Sequence, residues 1–318
     1  MPLTRRLTAL ALGLSALALA ACDGGTSTRT GFIPPPPQSP PPPEGATSVT
    51  ILPQPVVGDF AVAGVWTNLY TASSTEEGRL DRIVSETNGQ PAIRYASGGY
   101  YEVKLPGEDY GPLVHDPNVV DPASNDPFLI VRDCCGGRAL TIQSSDTGFA
   151  YSAMASWSRP DLDFGYTTDS GVFAFGEATP ASGMPVTGTA SYAGVLAGLS
   201  DAKTFDAASN SWLLLPAGGT VQLDFDFAAG TLGGRIDLSI AGGMNPVAVG
   251  SYAFEQTVFS AGNTNYSGRF ATDLPGSNFF NGLFTGPNAE ETIGNWAVPF
   301  QYDGENHQAL GAWIAKKP

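Results

Sequence analysis

Apolar and polar residues alternate with a period of two through most of the C-terminal half of the chain. Val221, Leu223 and Phe225 share one face of a predicted strand, and Gln222 and Asp224 share the other. Eight runs of this kind follow residue 183, and none has a helical period. They cover 186–198, 220–227, 232–240, 251–258, 266–272, the two arms of a hairpin around Gly286-Pro287, and 308–315. Because eight antiparallel strands can close and remove their sheet edges, the pattern predicts an eight-stranded antiparallel β-barrel over 184–318.

Residues 47–183 carry shorter apolar runs, separated by long and turn-rich connections. The clearest predicted strands are 49–52, 100–105, 128–131 and 139–142. The connection 107–127 is rich in proline, and loops of this kind lie on the surface, where binding residues are often found. A mixed-β domain is therefore predicted before the barrel, and the fold class is all-β.

The hairpin near the end of the chain has a distinctive sequence. Its turn, Gly286-Pro287-Asn288-Ala289-Glu290-Glu291, follows a strand that ends in Gly282-Leu283-Phe284-Thr285. This segment resembles the closing hairpin of the β-barrels of the transferrin-binding protein B family, which includes bacterial surface lipoproteins and secreted haem-binding relatives. Within 175–194, Gly188-Thr189-Ala190-Ser191-Tyr192-Ala193-Gly194 resembles the first strand of the same barrels. Ile293 departs from the family pattern, which usually has a glycine there.

The resemblance implies an architecture and a class of function. A small mixed-β handle domain precedes each barrel of the family, so 47–183 is expected to be the handle and 184–318 the barrel. In transferrin-binding proteins, the capturing surface is made mainly by handle and barrel loops of the N-terminal lobe. This chain has one handle–barrel unit where those proteins have two, so transferrin is one candidate among several. The resemblance also implies a transient partner, the outer-membrane translocon called the surface lipoprotein assembly modulator.

The first 46 residues are typical of an export signal followed by a tether. The apolar run from Leu7 to Ala20 is about 14 residues long, too short to span ~30 Å of hydrocarbon as a helix. Leu19-Ala20-Ala21-Cys22 matches a bacterial lipobox, so 1–21 is predicted to be a lipoprotein signal peptide and Cys22 to carry the lipid. An ordinary secretory peptide with a chance cysteine is the alternative. Residues 22–46 are predicted to be a proline-rich disordered linker.

The predicted anchor bears on both the barrel and its location. A transmembrane barrel would show the same alternation of apolar and polar residues, but it needs neither a lipid anchor nor a linker, so a soluble barrel is favoured. The predicted location is the bacterial cell envelope, at the outer membrane or cell surface. Asp23, directly after the lipidated cysteine, leaves the choice between inner and outer membrane open.

Composition and motifs narrow the functional classes. The formal net charge of −15 disfavours nucleic acid as a partner. The sequence has no Gly-x-Ser-x-Gly elbow, His-Glu-x-x-His motif, phosphate loop or dinucleotide fingerprint. Glu290 and Glu291 face opposite sides of a strand, so they are predicted to be turn and edge charges rather than an acid/base pair. The sequence therefore predicts neither an enzyme nor a metal site.

Cys134 and Cys135 are the two exported thiols that remain once Cys22 is acylated. A vicinal disulfide between them has to distort the backbone, because adjacent Cα atoms lie only ~3.8 Å apart. Gly136-Gly137 would help the chain accommodate that distortion. The vicinal disulfide and a pair of free thiols both stay open, and the roles considered for the pair are a redox switch and a rigid loop tip.

No cofactor is certain, and haem is the one that the resemblance makes possible. The haem-binding relatives hold iron with histidine, which makes His115, in the long proline-rich loop, a candidate axial ligand. A solvated loop histidine is the alternative. His307 is predicted to be a hairpin-turn residue beside the last strand.

The favoured function is a membrane-anchored, surface-exposed lipoprotein that binds a host or environmental protein, or a small solute, in iron or haem acquisition. Trp212, Leu213 and Leu214 are candidate anchors for a partner, or they pack against the barrel mouth. A structural envelope lipoprotein without a small-molecule ligand is the alternative.

Overall fold

The computed structural model describes residues 50–70, 80–84, 90–113, 128–132, 139–143, 148–160, 167–206, 211–242 and 245–318. These residues form β-strands and one short 3₁₀ helix, Ala181–Gly183, so the predicted all-β class is confirmed. No helix among them is long and apolar enough to cross a membrane.

Two antiparallel sheets precede the barrel and form the handle. Their strands are β1 (Gly58–Asp59), β2 (Ala61–Tyr70), β3 (Leu80–Val84), β4 (Ala92–Tyr95), β5 (Tyr101–Lys104), β6 (Gly111–Pro112), β7 (Phe128–Arg132), β8 (Ala139–Gln143), β9 (Ser152–Pro160) and β10 (Thr167–Gly176). The small sheet has the order β1-β4-β5-β6, and the large sheet has the order β3-β2-β10-β9-β8-β7. The predicted strands at 100–105, 128–131 and 139–142 are confirmed as β5, β7 and β8.

One predicted strand of the handle is wrong. The described part of 49–52 bends instead of pairing with a neighbour. Ile51 and Leu52 are nevertheless buried in the core between the two sheets, and the main-chain N–H of Leu52 donates to the hydroxyl of Tyr101 at 3.1 Å. A short apolar run indicates burial, but it does not by itself indicate a strand.

The barrel is closed by antiparallel pairing of its last strand with its first. Its strands, in order, are β11 (Thr189–Ser200), β14 (Ala217–Asp226), β15 (Thr231–Gly242), β16 (Asn245–Val258), β17 (Asn265–Phe270), β18 (Phe279–Thr285), β19 (Glu291–Tyr302) and β20 (Glu305–Lys316). A separate hairpin, β12 (Lys203–Asp206) and β13 (Ser211–Leu214), lies between the first two barrel strands in sequence. The eight-stranded antiparallel barrel predicted from the alternation is confirmed.

Large apolar side chains fill the barrel interior. Leu223 and Phe225 on β14 are buried in this core, whereas Gln222 and Asp224 on the same strand are exposed. Burial of each large side chain contributes roughly 1.5–3 kcal/mol relative to exposure. The alternation seen in strands such as β14 therefore arises because one face of the strand is buried and the other meets water.

The large sheet of the handle packs on the outside of β19 and β20. On β10, Phe173 and Phe175 face the core shared with the small sheet, while Val172 and Ala174 pack against the barrel strands. Ile293, the departure from the family pattern, is fully buried in this second contact. Both faces of the large sheet are thus covered. Strand β19 is likewise buried on both faces over its first ten residues, Glu291–Phe300.

Candidate functional site

A cleft of about 850 Å³ opens between the handle and the barrel. This volume lies within the ~300–1,000 Å³ usual for small-ligand sites. The handle wall comes from β1, the start of β2 and the residues that lead into β4, and the barrel wall comes from the end of β16 and parts of β17, β18 and β19. The lining residues are Asp59, Phe60, Val62, Ala63, Gly64, Gln90, Pro91, Ala92, Tyr110, Val258, Asn263, Asn265, Tyr266, Ser267, Asn281, Gly282, Leu283 and Asn295.

A chain of amides fixes the floor of the cleft. The Nδ2 of Asn295 donates to the main-chain oxygen of Gly64 at 2.5 Å, which joins the barrel to the handle. The Nδ2 of Asn281 donates to the Oδ1 of Asn295 at 3.1 Å. Asn295 is only 4% exposed, so its two bonds satisfy a polar group that would be costly to bury alone. The floor is therefore rigid and polar inside an otherwise apolar contact.

Carboxamides dominate the polar side chains of the cleft. Five of its lining residues carry one: Gln90, Asn263, Asn265, Asn281 and Asn295. Asn263, Asn265 and Asn281 are exposed, and the Oδ1 of Asn263 accepts from the main-chain N–H of Asn265 at 3.2 Å. Among the described residues that line the cleft, Asp59 is the one carboxylate, and none is a lysine, arginine or histidine. The cleft thus offers many hydrogen-bond donors and acceptors but little charge.

Gln90 lines the cleft with an amide that has no hydrogen-bond partner among the described residues. Both of its amide atoms are buried, and neither has a hydrogen-bond partner among the described residues. Leaving a buried polar group unsatisfied costs about 1–3 kcal/mol, so such a group calls for an explanation. The side chain lies over Gly64, where an added Cβ would come within 2.5 Å of the Oε1 of Gln90. Glycine at position 64 therefore makes room for this amide.

The cleft also has an apolar surface and an aromatic edge. Val258 is 66% exposed there, and Phe60 and Leu283 line the space below it. The hydroxyl of Tyr110 donates to Oδ1 of Asp59 at 3.3 Å, and the Arg94 guanidinium lies 4.2 Å from the ring centroid. Burial and the neighbouring carboxylate raise the pKa of Tyr110, so this phenol stays protonated and able to donate. Among the described residues, no group of three or more His, Cys, Asp or Glu could hold a metal ion.

The predicted family motif forms the turn between β18 and β19 and ties three segments together. Gly286 and Ala289 adopt positive φ values of 83° and 56°. The Thr179 hydroxyl donates to the carbonyl of Gly286 at 2.7 Å, and the Tyr192 hydroxyl donates to the carbonyl of Ala289 at 2.6 Å. Pro287 and Asn288 are exposed at the tip of the turn. These contacts fix the segment before the barrel and its first strand to the closing hairpin.

The two glutamates of the motif point in different directions. Glu290 accepts from the main-chain and side-chain nitrogens of Asn288 at 2.8 and 2.9 Å, and Glu291 accepts from the main-chain N–H groups of Ala150 and Tyr151 at 2.6 and 3.1 Å. Burial raises the pKa of Glu291, whereas the bonds from Asn288 outweigh partial burial and lower the pKa of Glu290. Glu291 is 3% exposed, so the prediction of an edge charge is wrong for it: its carboxylate caps the handle segment before β9.

The other predicted site residues divide between the described and undescribed parts of the chain. Cys22, His115, Cys134 and Cys135 lie outside the described residues. His307 is the third residue of β20 rather than a turn residue, with its Nδ1 3.2 Å from the Oδ1 of Asp201 and only 13% of its side chain exposed. Residues 212–214, the candidate anchors, lie on β13.

Comparisons with known proteins give one sequence match and several structural ones. Residues 184–317 match the family model described as the C-lobe and N-lobe β-barrels of Tf-binding protein B. No curated protein matches the chain. A variant of Transferrin Binding Protein B from Haemophilus parasuis Hp5 is 17% identical with a TM-score of 0.44, the alignment covering 80% of this chain and 45% of that one.

Two further structures carry the same protein name. The isotype 1 protein from serogroup B Neisseria meningitidis is 12% identical with a TM-score of 0.42, covering 81% of this chain and 43% of that one. A variant from Actinobacillus pleuropneumoniae H49 is 15% identical with a TM-score of 0.39, covering 83% of this chain and 100% of that one. The chain spans less than half the length of the Haemophilus and Neisseria chains.

Proposed function

Because its residues 184–317 form a barrel of the transferrin-binding protein B family, we propose that this protein is a lipid-anchored bacterial surface lipoprotein that binds a protein partner in iron acquisition. Transferrin is the first candidate partner, since it gives the family its name. The observation that carries the proposal is the match of the barrel to this family over its whole length.

The packing of the handle supports a binding role. The large sheet of the handle lies on β19 and β20, and the Asn295–Gly64 hydrogen bond joins the two parts directly. Loops of both parts are therefore held on a shared packed framework, which lowers the ordering cost when they contact a partner. No reaction is included in the proposal, which starts from the family match of the barrel.

The proposed chain organisation starts from the export signal. Residues 1–21 direct secretion, and Cys22 carries the lipid. Residues 22–46 form the linker that holds the handle (47–183) and the barrel (184–318) away from the membrane. The surface lipoprotein assembly modulator is the proposed transient partner for export. A structural envelope role without a ligand is the competing proposal.

A test uses the full chain, produced with its own signal in a Gram-negative bacterium. We expect radioactive palmitate to label the wild type but not Cys22→Ala, and external protease to cleave the wild type on intact cells. Fluorescent iron-loaded transferrin should then bind these cells saturably and should not bind cells without the protein. Surface exposure without transferrin binding would overturn the iron-acquisition role and support the structural one. Absence of lipid labelling would overturn the anchor.

The alternative in which the protein binds haem depends on His115, which lies outside the described part of the chain. Among the described residues that could serve as an axial ligand of haem iron, His307 pairs with Asp201, and Met154 and Met184 are buried. His115 is thus the remaining histidine for an axial ligand. Titration of the full chain with haem, followed in the Soret region, should show a saturable shift that His115→Ala removes and His307→Ala retains. No shift in the wild type would eliminate haem as a ligand.

A further inference from the structure

We propose that the cleft between handle and barrel is a binding site for a neutral carbohydrate. This site is separate from the capture of a protein partner, and it does not depend on that function. It is assigned from the cleft's side chains, its charge and its unsatisfied amide.

The polar lining matches the chemistry of sugar hydroxyls. Each hydroxyl group both donates and accepts hydrogen bonds, and each carboxamide offers the same two capacities on adjacent atoms. Asn265 and Asn281 expose their amides on the barrel wall, and Gln90 holds a third amide at the inner end. The Tyr110 hydroxyl, whose proton is donated to Asp59, adds an acceptor on the handle side. A ligand with several neighbouring hydroxyls is therefore complementary to the cleft.

Charge and apolar surface narrow the ligand class further. Among the described residues of the lining, Asp59 is the one carboxylate and none is cationic, while Arg94, beside Tyr110 at the edge, is already paired with Glu102. An anionic ligand would therefore lack a free counter-ion and would meet a chain of net charge −15. Val258, Phe60 and Leu283 form the apolar part of the lining. A pyranose ring has C–H faces between its hydroxyls, and these faces can pack on such a surface. A volume of about 850 Å³ accommodates a short oligosaccharide.

Gln90 is the most direct indication that something polar belongs in the cleft. Its amide is buried and has no partner among the described residues, so no hydrogen bond has to be broken when it turns toward a ligand. By contrast, Asn281 and Asn295 bond to one another and keep the floor in place. The site thus combines a fixed floor with an amide that no other described residue bonds, an arrangement that favours hydrogen bonding to an added molecule.

A peptide is the main competing ligand, and the floor argues against it. A peptide that extends a sheet has to bond an unpaired strand edge, and here that edge would be the start of β2, which pairs with β3 only from Trp66 onward. The carbonyl of Gly64, a residue of the cleft lining, already accepts from Asn295. The side chains rather than the main chain therefore offer the free hydrogen-bonding groups.

The test titrates three neutral trisaccharides, maltotriose, cellotriose and triacetylchitotriose, into the full chain by isothermal calorimetry. We expect at least one to bind saturably with one-to-one stoichiometry. Asn265→Ala and Gln90→Met should each weaken that binding on the order of 10-fold, while Gln222→Ala, an exposed amide on the far barrel wall, should leave it unchanged. Gln90→Met should also keep or raise the melting temperature, because it removes an unsatisfied amide without shortening the side chain.

Two results would overturn the proposal. One is the failure of all three sugars to bind, and the other is binding that both cleft variants leave unchanged. Saturable binding of tetraglycine in place of the sugars would assign the cleft to peptides instead. Transferrin capture is measured separately on the same variants, so loss of sugar binding with intact capture distinguishes this site from the protein-binding surface.

Discussion

The hydroxyl of Tyr192 on the first barrel strand donates a hydrogen bond of 2.6 Å to the main-chain carbonyl of Ala289, in the turn that precedes the seventh strand. Both residues are fully buried. The bond joins the two sequence segments that resemble the family, through residues that lie 97 positions apart in the chain. A polar contact inside an aromatic core thus holds the start of the barrel against its closing hairpin.

Removing this hydroxyl should destabilise the barrel without disturbing its packing. Tyr192→Phe keeps the ring but leaves the buried carbonyl of Ala289 without its donor, so we expect a loss of about 1–3 kcal/mol in the free energy of unfolding. Urea denaturation of the full chain measures it. Tyr302→Phe, a half-buried tyrosine beside His307, is the control and should change stability by less than about 0.5 kcal/mol. Equal stability of the two variants would contradict the assigned role.

The seam where the barrel closes should not tolerate a side chain at Gly194. A Cβ there would come within 1.9 Å of the Ile314 carbonyl oxygen on the last strand. Gly194→Ala must therefore push β11 and β20 apart, and we expect a loss of about 1–3 kcal/mol or failure to fold. Gly233→Ala is the matched control, because an added Cβ there meets nothing within 4 Å. Thermal unfolding that is unchanged in both variants would show that the seam is looser than described.

The adjacent glutamates of the closing turn should give opposite pH dependences. The folded pKa of Glu291 is raised by burial, so its contribution to stability is full below the unfolded pKa of about 4.3 and is lost as pH rises through the folded value. The folded pKa of Glu290 is lowered by the bonds from Asn288, despite partial burial, so its contribution is present above the unfolded pKa and is lost as pH falls.

Urea denaturation of Glu291→Gln and Glu290→Gln over a pH series tests this difference. Relative to the wild type, Glu291→Gln should become more stable as pH rises from about 4 toward neutral. Glu290→Gln should become less stable as pH rises from about 3 to 5. Parallel slopes for the two variants would contradict the described environments.

A glycine at the barrel bulge should stabilise the protein. Gln256 is exposed and has a φ of 47°, between the paired residues Glu255 and Val258 of β16. The left-handed conformation costs a non-glycine residue about 1–2 kcal/mol, and the extra entropy lost by glycine offsets about 0.5–1 kcal/mol of that gain. We therefore expect Gln256→Gly to raise the unfolding free energy by about 0.5 kcal/mol. Gln222→Gly, in regular strand β14, should lower it instead.

The barrel was predictable because most of its strands bury one face and expose the other to water. Alternation of the kind shown by Leu223 and Gln222 survives wherever the interior is apolar and the exterior meets water. The strands of the large handle sheet lack this signal. On β10, Val172 to Phe175 form a continuous apolar run, because neighbouring side chains pack alternately on the small sheet and on the barrel. Such a strand cannot be separated from other buried segments by periodicity.

The cleft could not be predicted, because its polar residues come from distant segments that look ordinary one at a time. Asn265 follows a turn, and Gln90 precedes a short handle strand. Only Asn295 carries a local signal, as a carboxamide inside the apolar run of β19. A polar residue in a strand that is buried on both faces requires a specific partner, here the Gly64 carbonyl across the domain contact.

The large handle sheet has consequences for how the protein can diversify. Substitutions on β2, β9 and β10 must suit two neighbouring layers at once, so these strands tolerate little change. Loops and turn tips such as Pro287-Asn288 are free of that double constraint. Binding specificity can therefore change through substitutions in the loops while the packed sheets of the handle and barrel keep their structure.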